Sequence, residues 1–138
     1  MSRYEIFIGM WNTQGEVLPT DLGPASTLLA TDTYEWLPRR HFLLHRIDAR
    51  FGRAPTRGLE IIGYSRPTQK YQARSYDDQG SEETFDVDLS GKRWRIFGKT
   101  VRFDGRFNRA DDKLTGQWEL KSQKSGWQPW IRLELVRI

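Results

Sequence analysis

The chain has 138 residues, a formal net charge of +4, a pI of about 9.6 and no cysteine. That length suits one domain over residues 1–138, able to bury roughly two-thirds of its unfolded surface without help from a disulfide or metal. The missing cysteines exclude a disulfide scaffold, thiolate zinc and a cysteine nucleophile, and they fit a reducing cytosol.

The first residues, Met-Ser-Arg-Tyr-Glu, contain no apolar h-region, so no signal peptide is expected. No apolar run approaches the ~20 residues of a membrane span. A cytoplasmic location and no membrane partner follow as expectations. Mean hydropathy is −0.72 while aromatics make up 13% of the chain. Apolar character concentrated in aromatics and interleaved with polar residues suits sheets with one wet face.

Ser2 and Glu5 have the spacing of a capping box, which predicts a short helix over residues 2–8. It is too short to stand alone and must pack on something; a barrel mouth is the natural place. From Trp11 the period changes to two, with Trp11, Thr13, Gly15 and Val17 on one face. Pro19, Gly23 and Pro24 mark a loop over 18–26. Strands are predicted at 27–37, 41–49, 58–66 and 70–77, followed by an Asp77–Gly80 turn. Phe85, Val87 and Leu89 then alternate with polar residues, as do Trp94 and Ile96, then Val101, Phe103 and Phe107. Leu114, Trp118 and Leu120 repeat the pattern, and Ile131, Leu133 and Leu135 end it. About ten short strands with no helical spacer predict an all-β fold, a single antiparallel up-and-down β-barrel with a short N-terminal helix.

Lys92, Arg93, Arg95, Lys99, Arg102, Arg106 and Arg109 form a local basic excess. Arg93 and Arg95 alternate with Trp94 and Ile96, so these cations read as a solvated outer face, and no nucleic-acid partner is expected. Arg102 should likewise face out.

Barrel diameter grows with strand number, so ten strands lined by Tyr71, Phe85, Trp94, Phe103 and Trp118 should leave an apolar cavity. The alternative is a flattened barrel whose aromatics pack together. Trp36, Tyr64, Tyr71, Trp94, Trp118 and Trp127 are the expected wall or mouth. His45, Glu60 and Glu35 are polar residues inside otherwise apolar strands. His45 is in phase with Leu43 and Ile47, and Glu60 with Ile62 and Tyr64. Facing inward, they would put an acid–base group in an aromatic cavity. The plainer readings are a satisfied internal polar pair, or residues at a subunit interface. Strands 42–47 and 59–64 are apolar on both faces, and the outer cover expected for them is a second copy of the chain.

His41 and His45, four apart on a strand, stand roughly 13 Å from each other, too far to share a metal. No metal site is expected. Nucleophile-elbow, phosphate-loop and dinucleotide-glycine motifs are missing from the sequence.

Gly9-Met10-Trp11 is a G-x-W at the first strand, and Arg137 is in phase with Ile131, Leu133 and Leu135. If both point inward, the guanidinium stacks on the indole and fastens the first strand to the last. In this motif and the strand pattern the chain resembles the lipocalin (calycin) superfamily. More closely, it resembles a bacterial lipocalin-like family of unassigned function. Tyr34–Pro38, Phe42–Arg46, Glu60–Tyr64, Tyr76–Gly80 and Trp127–Trp130 carry that resemblance. It implies the barrel and no reaction. The related nitrobindins bind heme through a histidine near the C-terminus; here no histidine follows His45, so heme and other cofactors are not expected. The reading is a barrel that binds a small, mostly apolar or aromatic molecule, with His45 and Glu60 orienting it. The alternative is an isomerase or cyclase using His45 with Glu60 in the same cavity.

Overall fold

A computed structural model describes residues 1–124 and 126–138. Ten antiparallel strands follow one another around a closed barrel. They are β1 (Gly9–Val17), β2 (Ser26–Trp36), β3 (Phe42–Phe51), β4 (Ala54–Ser65) and β5 (Lys70–Asp77), then β6 (Glu82–Ser90), β7 (Arg93–Phe97), β8 (Val101–Phe107), β9 (Lys113–Ser122) and β10 (Gly126–Arg137). Each strand pairs with its sequence neighbours, and β1 pairs with β10 to close the ring. Closure leaves no sheet edge to protect. Among the described residues no helix is long and apolar enough to cross a membrane.

Period-two patterning sets the faces. Phe85, Val87 and Leu89 of β6 and Trp94 and Ile96 of β7 are buried within the barrel. The intervening Arg93 and Arg95 lie outside, where they pair with Asp104 and Asp88. Lys92–Asp111 and Arg102–Glu119 extend this outer ladder. Four of the seven cations of this region are therefore paired with carboxylates, as an outer face allows.

Three local expectations change. The N-terminal segment is a 3-10 helix over Ser2–Phe7, and no side chain caps it. Glu5 instead accepts hydrogen bonds from the Trp36 indole, at 2.6 Å, and from the Arg40 guanidinium. The β3–β4 hairpin is longer than the predicted strands 41–49 and 58–66. It turns at Gly52 and Arg53, and Pro55 lies opposite Arg50 within the pairing. His41 precedes β3 and is exposed, so it does not share the inner face with His45.

The seam and the plug are built together. Trp11 lies opposite Arg137, whose guanidinium carbon is 4.1 Å from the indole centroid. The same guanidinium donates to the carbonyls of Ile6 (2.6 Å), Ile8 and Asp111 (3.0 Å). The Trp11 indole N–H donates to the Phe7 carbonyl at 2.8 Å. These bonds hold the 3-10 helix across one end of the barrel. There Tyr4 and Phe7 are fully buried, Tyr4 against Tyr71 and Trp94, Phe7 against Tyr34, Trp94 and Phe107. Burial pushes the Tyr4 phenol up to about 12. This helix is too short for intrinsic stability, and aromatic packing supplies what hydrogen bonds cannot.

Candidate functional site

Beneath the plug the two halves of the inner wall differ. β6–β10 present aromatic and aliphatic side chains, whereas β1–β5 carry a belt of polar ones. Thr13, Asp32, His45, Glu60 and Ser75 come from five successive strands. Register aligns them: His45 lies opposite Glu60, and Glu60 opposite Ser75, while Asp32 sits one diagonal step from both Thr13 and His45. His45 Nε2 is 2.7 Å from Asp32 Oδ1, and Nδ1 is 3.2 Å from Glu60 Oε1. The Thr13 hydroxyl donates to Asp32 Oδ2, and the Ser75 hydroxyl donates to Glu60 Oε2 at 2.5 Å. Tyr34 stacks on the imidazole, with ring centroids 4.0 Å apart and planes within 10°.

The belt is charged and dry. Side chains of Asp32, His45 and Glu60 are each about one-tenth exposed (9%, 10% and 10%). Burial by itself would lower the His45 pKa. Hydrogen bonds to Asp32 and Glu60, with their negative charges, outweigh it and raise the value from 6.5 to about 9. The imidazole is therefore a cation near neutral pH, donating from both nitrogens. Burial, and then the charges of Asp32 and Glu60, push the Tyr34 phenol well above its usual value, so it stays neutral. With both ring nitrogens engaged, His45 has no lone pair to offer a metal.

A cavity of about 290 Å³ adjoins this belt inside the barrel. The opposing wall includes Trp94, Phe103 and Trp118. Phe103 lies against the paired glycines Gly105 and Gly116, where a Cβ on either would come within 2.7 Å of its ring. These two positions let a large ring lie flat on the sheet. The cavity extends away from the plug toward Leu28, Phe51 and Thr56, close to the strand ends at the opposite mouth. Larger depressions lie outside, one of about 580 Å³ over β1, β9 and β10 and one of about 830 Å³ beside β3–β5. Neither adjoins the charged belt of Asp32, His45 and Glu60.

The residues singled out in the sequence separate into two groups. His45, Glu60, Trp94 and Trp118 meet around the cavity. Glu35 does not: it is on the outer face, paired with Arg46 at 3.3 Å. Trp36 is held at the plug by Glu5 and by the Arg40 guanidinium, 5.0 Å from its ring. Tyr71 is covered by Tyr4 and by Arg3, whose guanidinium carbon stands 4.8 Å from the ring, and Tyr64 is 45% exposed beside it. Trp127 packs outside under Arg102, at 4.2 Å. Thr13, Asp32 and Ser75 were not singled out. The signal for Asp32 is the inward phase Leu28, Ala30, Asp32, Tyr34 on β2, which small polar neighbours such as Thr31 and Thr33 obscure.

No family model matches the chain, and no curated protein matches it in sequence. Solved structures do resemble it. Rv2717c from M. tuberculosis superposes with a TM-score of 0.72 at 12% identity, covering 99% of this chain and 96% of that one. S-type phycobiliprotein lyase CPES from Guillardia theta gives 0.61 at 8% identity, covering 99% and 91%. A de novo designed fluorescence-activating β-barrel gives 0.51 at 15% identity, covering 100% and 99%. At these identities the likeness is one of fold: the chain is a closed barrel like theirs from end to end.

Proposed function

We propose that the barrel binds a small, mostly apolar or aromatic molecule in its interior. The observation that carries this is the cavity itself, walled by Trp94, Phe103 and Trp118 and bordered on one side by a hydrogen-bonded charged belt. Apolar enclosure with a few converging polar groups is the general form of a ligand site. The apolar wall supplies affinity, and Asp32, His45 and Glu60 fix orientation. Two of the similar barrels are named for a fluorescence-activating property and a phycobiliprotein lyase activity, and both names are in keeping with an interior used as a site. Within this reading we group the chain with lipocalin-like proteins and place it in the cytoplasm, the latter because it carries no cysteine.

A second reading, an isomerase or cyclase, rests on the same belt. A proton held by His45 can pass through a carboxylate of Asp32 or Glu60 to a ligand and return by the same path, and enclosure alone accelerates a unimolecular step by preorganisation. Loss of turnover with retained binding in His45→Gln would favour this reading.

The experiment is native mass spectrometry of freshly purified protein against its denatured mass. An adduct at one per chain that disappears in Ala49→Trp, which fills the cavity, supports interior binding. An adduct that survives this substitution places it elsewhere and overturns the reading.

A further inference from the structure

The belt is not electrically neutral, and its imbalance bears on the ligand. Both imidazole nitrogens lie within hydrogen-bond distance of carboxylate oxygens, so each of the two contacts must hold a proton. One imidazolium then stands against two carboxylates, Asp32 and Glu60, leaving one negative charge. Among the described residues that line the cavity there is no lysine or arginine to cancel it. The usual relief for two close carboxylates is a shared proton. Here the imidazole stands between them, and their outer oxygens accept from Thr13 and Ser75, so the carboxylates do not meet.

An uncompensated charge against apolar side chains is costly, and the surroundings do little to screen it. A positive ligand would remove that cost. The facing wall suits one too, because Trp94, Phe103 and Trp118 present π-systems, which attract cations. The volume of about 290 Å³ sets the size, at the small end of ligand sites.

Resting on the interior-binding reading above, we infer that the molecule held in the cavity is a monocation with a compact apolar or aromatic body, such as a protonated amine, seated with its charge against Asp32 and Glu60. A neutral ligand of the same shape leaves the negative charge unmet, and an anionic one adds to it.

Three probes with one aromatic body test this at pH 7 by calorimetric titration of the whole protein: 2-naphthylmethylamine as its cation, 2-naphthylmethanol and 2-naphthoate. The expected order is cation first, by about tenfold or more over the alcohol, and naphthoate last. In Glu60→Gln, which removes the unmatched charge, the cation loses far more affinity than the alcohol, so most of its advantage disappears. Equal affinities, or a preference for alcohol or naphthoate, overturn the charge inference and leave interior binding standing. Binding of none of the three at millimolar concentration overturns both. An advantage unchanged in folded Glu60→Gln also overturns the inference, since the cation then sits elsewhere. Should Glu60→Gln fail to fold, the His45 ring resonances of the wild-type protein decide: they shift on adding the cation, and resonances that stay still overturn the assignment.

Discussion

At the scale of single residues, His45 is where charge, burial and stability meet. Its pKa is raised to about 9 in the fold against 6.5 for the free side chain. A group raised by folding contributes stability that is fully present below its unfolded pKa and lost as pH rises through its folded pKa. Asp32, Glu60 and the neutral Tyr34 are the titratable groups facing it. The stability difference between wild type and His45→Gln should therefore be largest at pH 6 and shrink by roughly 3 kcal/mol toward pH 9.5. Urea denaturation at the two pH values measures it, and a difference that does not change with pH refutes it. Asp32→Asn removes one of the two supports, so burial regains weight and the His45 pKa should fall by a unit or more, read from its ring protons by NMR. Part of this belt was legible in the sequence. His45 and Glu60 interrupt largely apolar runs, Leu43–Ile47 and Leu59–Tyr64, so they stand out as polar residues, but strands apolar on both faces leave their phase open in the sequence. Asp32 lies between two threonines, where either phase reads as plausible, and Glu35 draws attention although it shares the outward phase of Thr31 and Thr33. Charge alone does not reveal which side of a strand a carboxylate takes.

At the scale of elements, the strands were legible wherever large apolar residues alternate with polar ones, as in β6–β10, and least where proline and glycine suggested an early stop. Pro55 stays within the β3–β4 pairing because the chain turns before it, at Gly52 (φ 60°) and Arg53. The seam between β1 and β10 is non-local, yet it could be anticipated from Trp11 and Arg137, since a stacked indole and guanidinium need specific residues at both ends of the chain. Arg137 serves three backbone carbonyls as well as the indole. Arg137→Ala leaves those acceptors without their donor and should cost about 2 kcal/mol or more. Amide exchange should speed up first in β1, β10 and residues 2–7, while β4 and β5 keep their protection; uniform acceleration would contradict a local role. Gly116→Ala tests the opposite wall. Its Cβ would stand 2.8 Å from the Asp104 carbonyl and 2.4 Å from the Phe103 ring. The ring can turn but the backbone cannot, so overpacking of about 1–3 kcal/mol is expected, visible as a lower Tm.

At the scale of the whole molecule, closure satisfies every strand within the ring, so any assembly must use an outer face. The outer side of β3–β5 carries an apolar cluster, with the Arg46–Glu35 and Arg57–Asp48 ion pairs beside it. Phe42 and Tyr76 are 44% and 43% exposed, Leu44, Leu59 and Ile61 are half-buried between them, and the groove of about 830 Å³ runs alongside. Phe42 lies over Gly63, where a Cβ would meet its ring at 2.4 Å, which flattens the surface. The opposite outer face, over β6–β9, is instead covered by ion pairs between neighbouring strands. A contiguous apolar patch on one side and paired charges on the other is the distribution expected of a two-fold dimer that buries β3–β5 against the same surface of a second copy. We propose such a homodimer. In an interface of this symmetry each substitution occurs twice, so Phe42→Glu places two carboxylates on the patch and should shift the protein toward monomer. Light scattering coupled to size exclusion, with wild type and variant at several hundred micromolar, checks it. A wild type that remains monomeric at that concentration removes the dimer without touching the interior, because Phe42 points away from the cavity and the belt of His45 is formed within one chain.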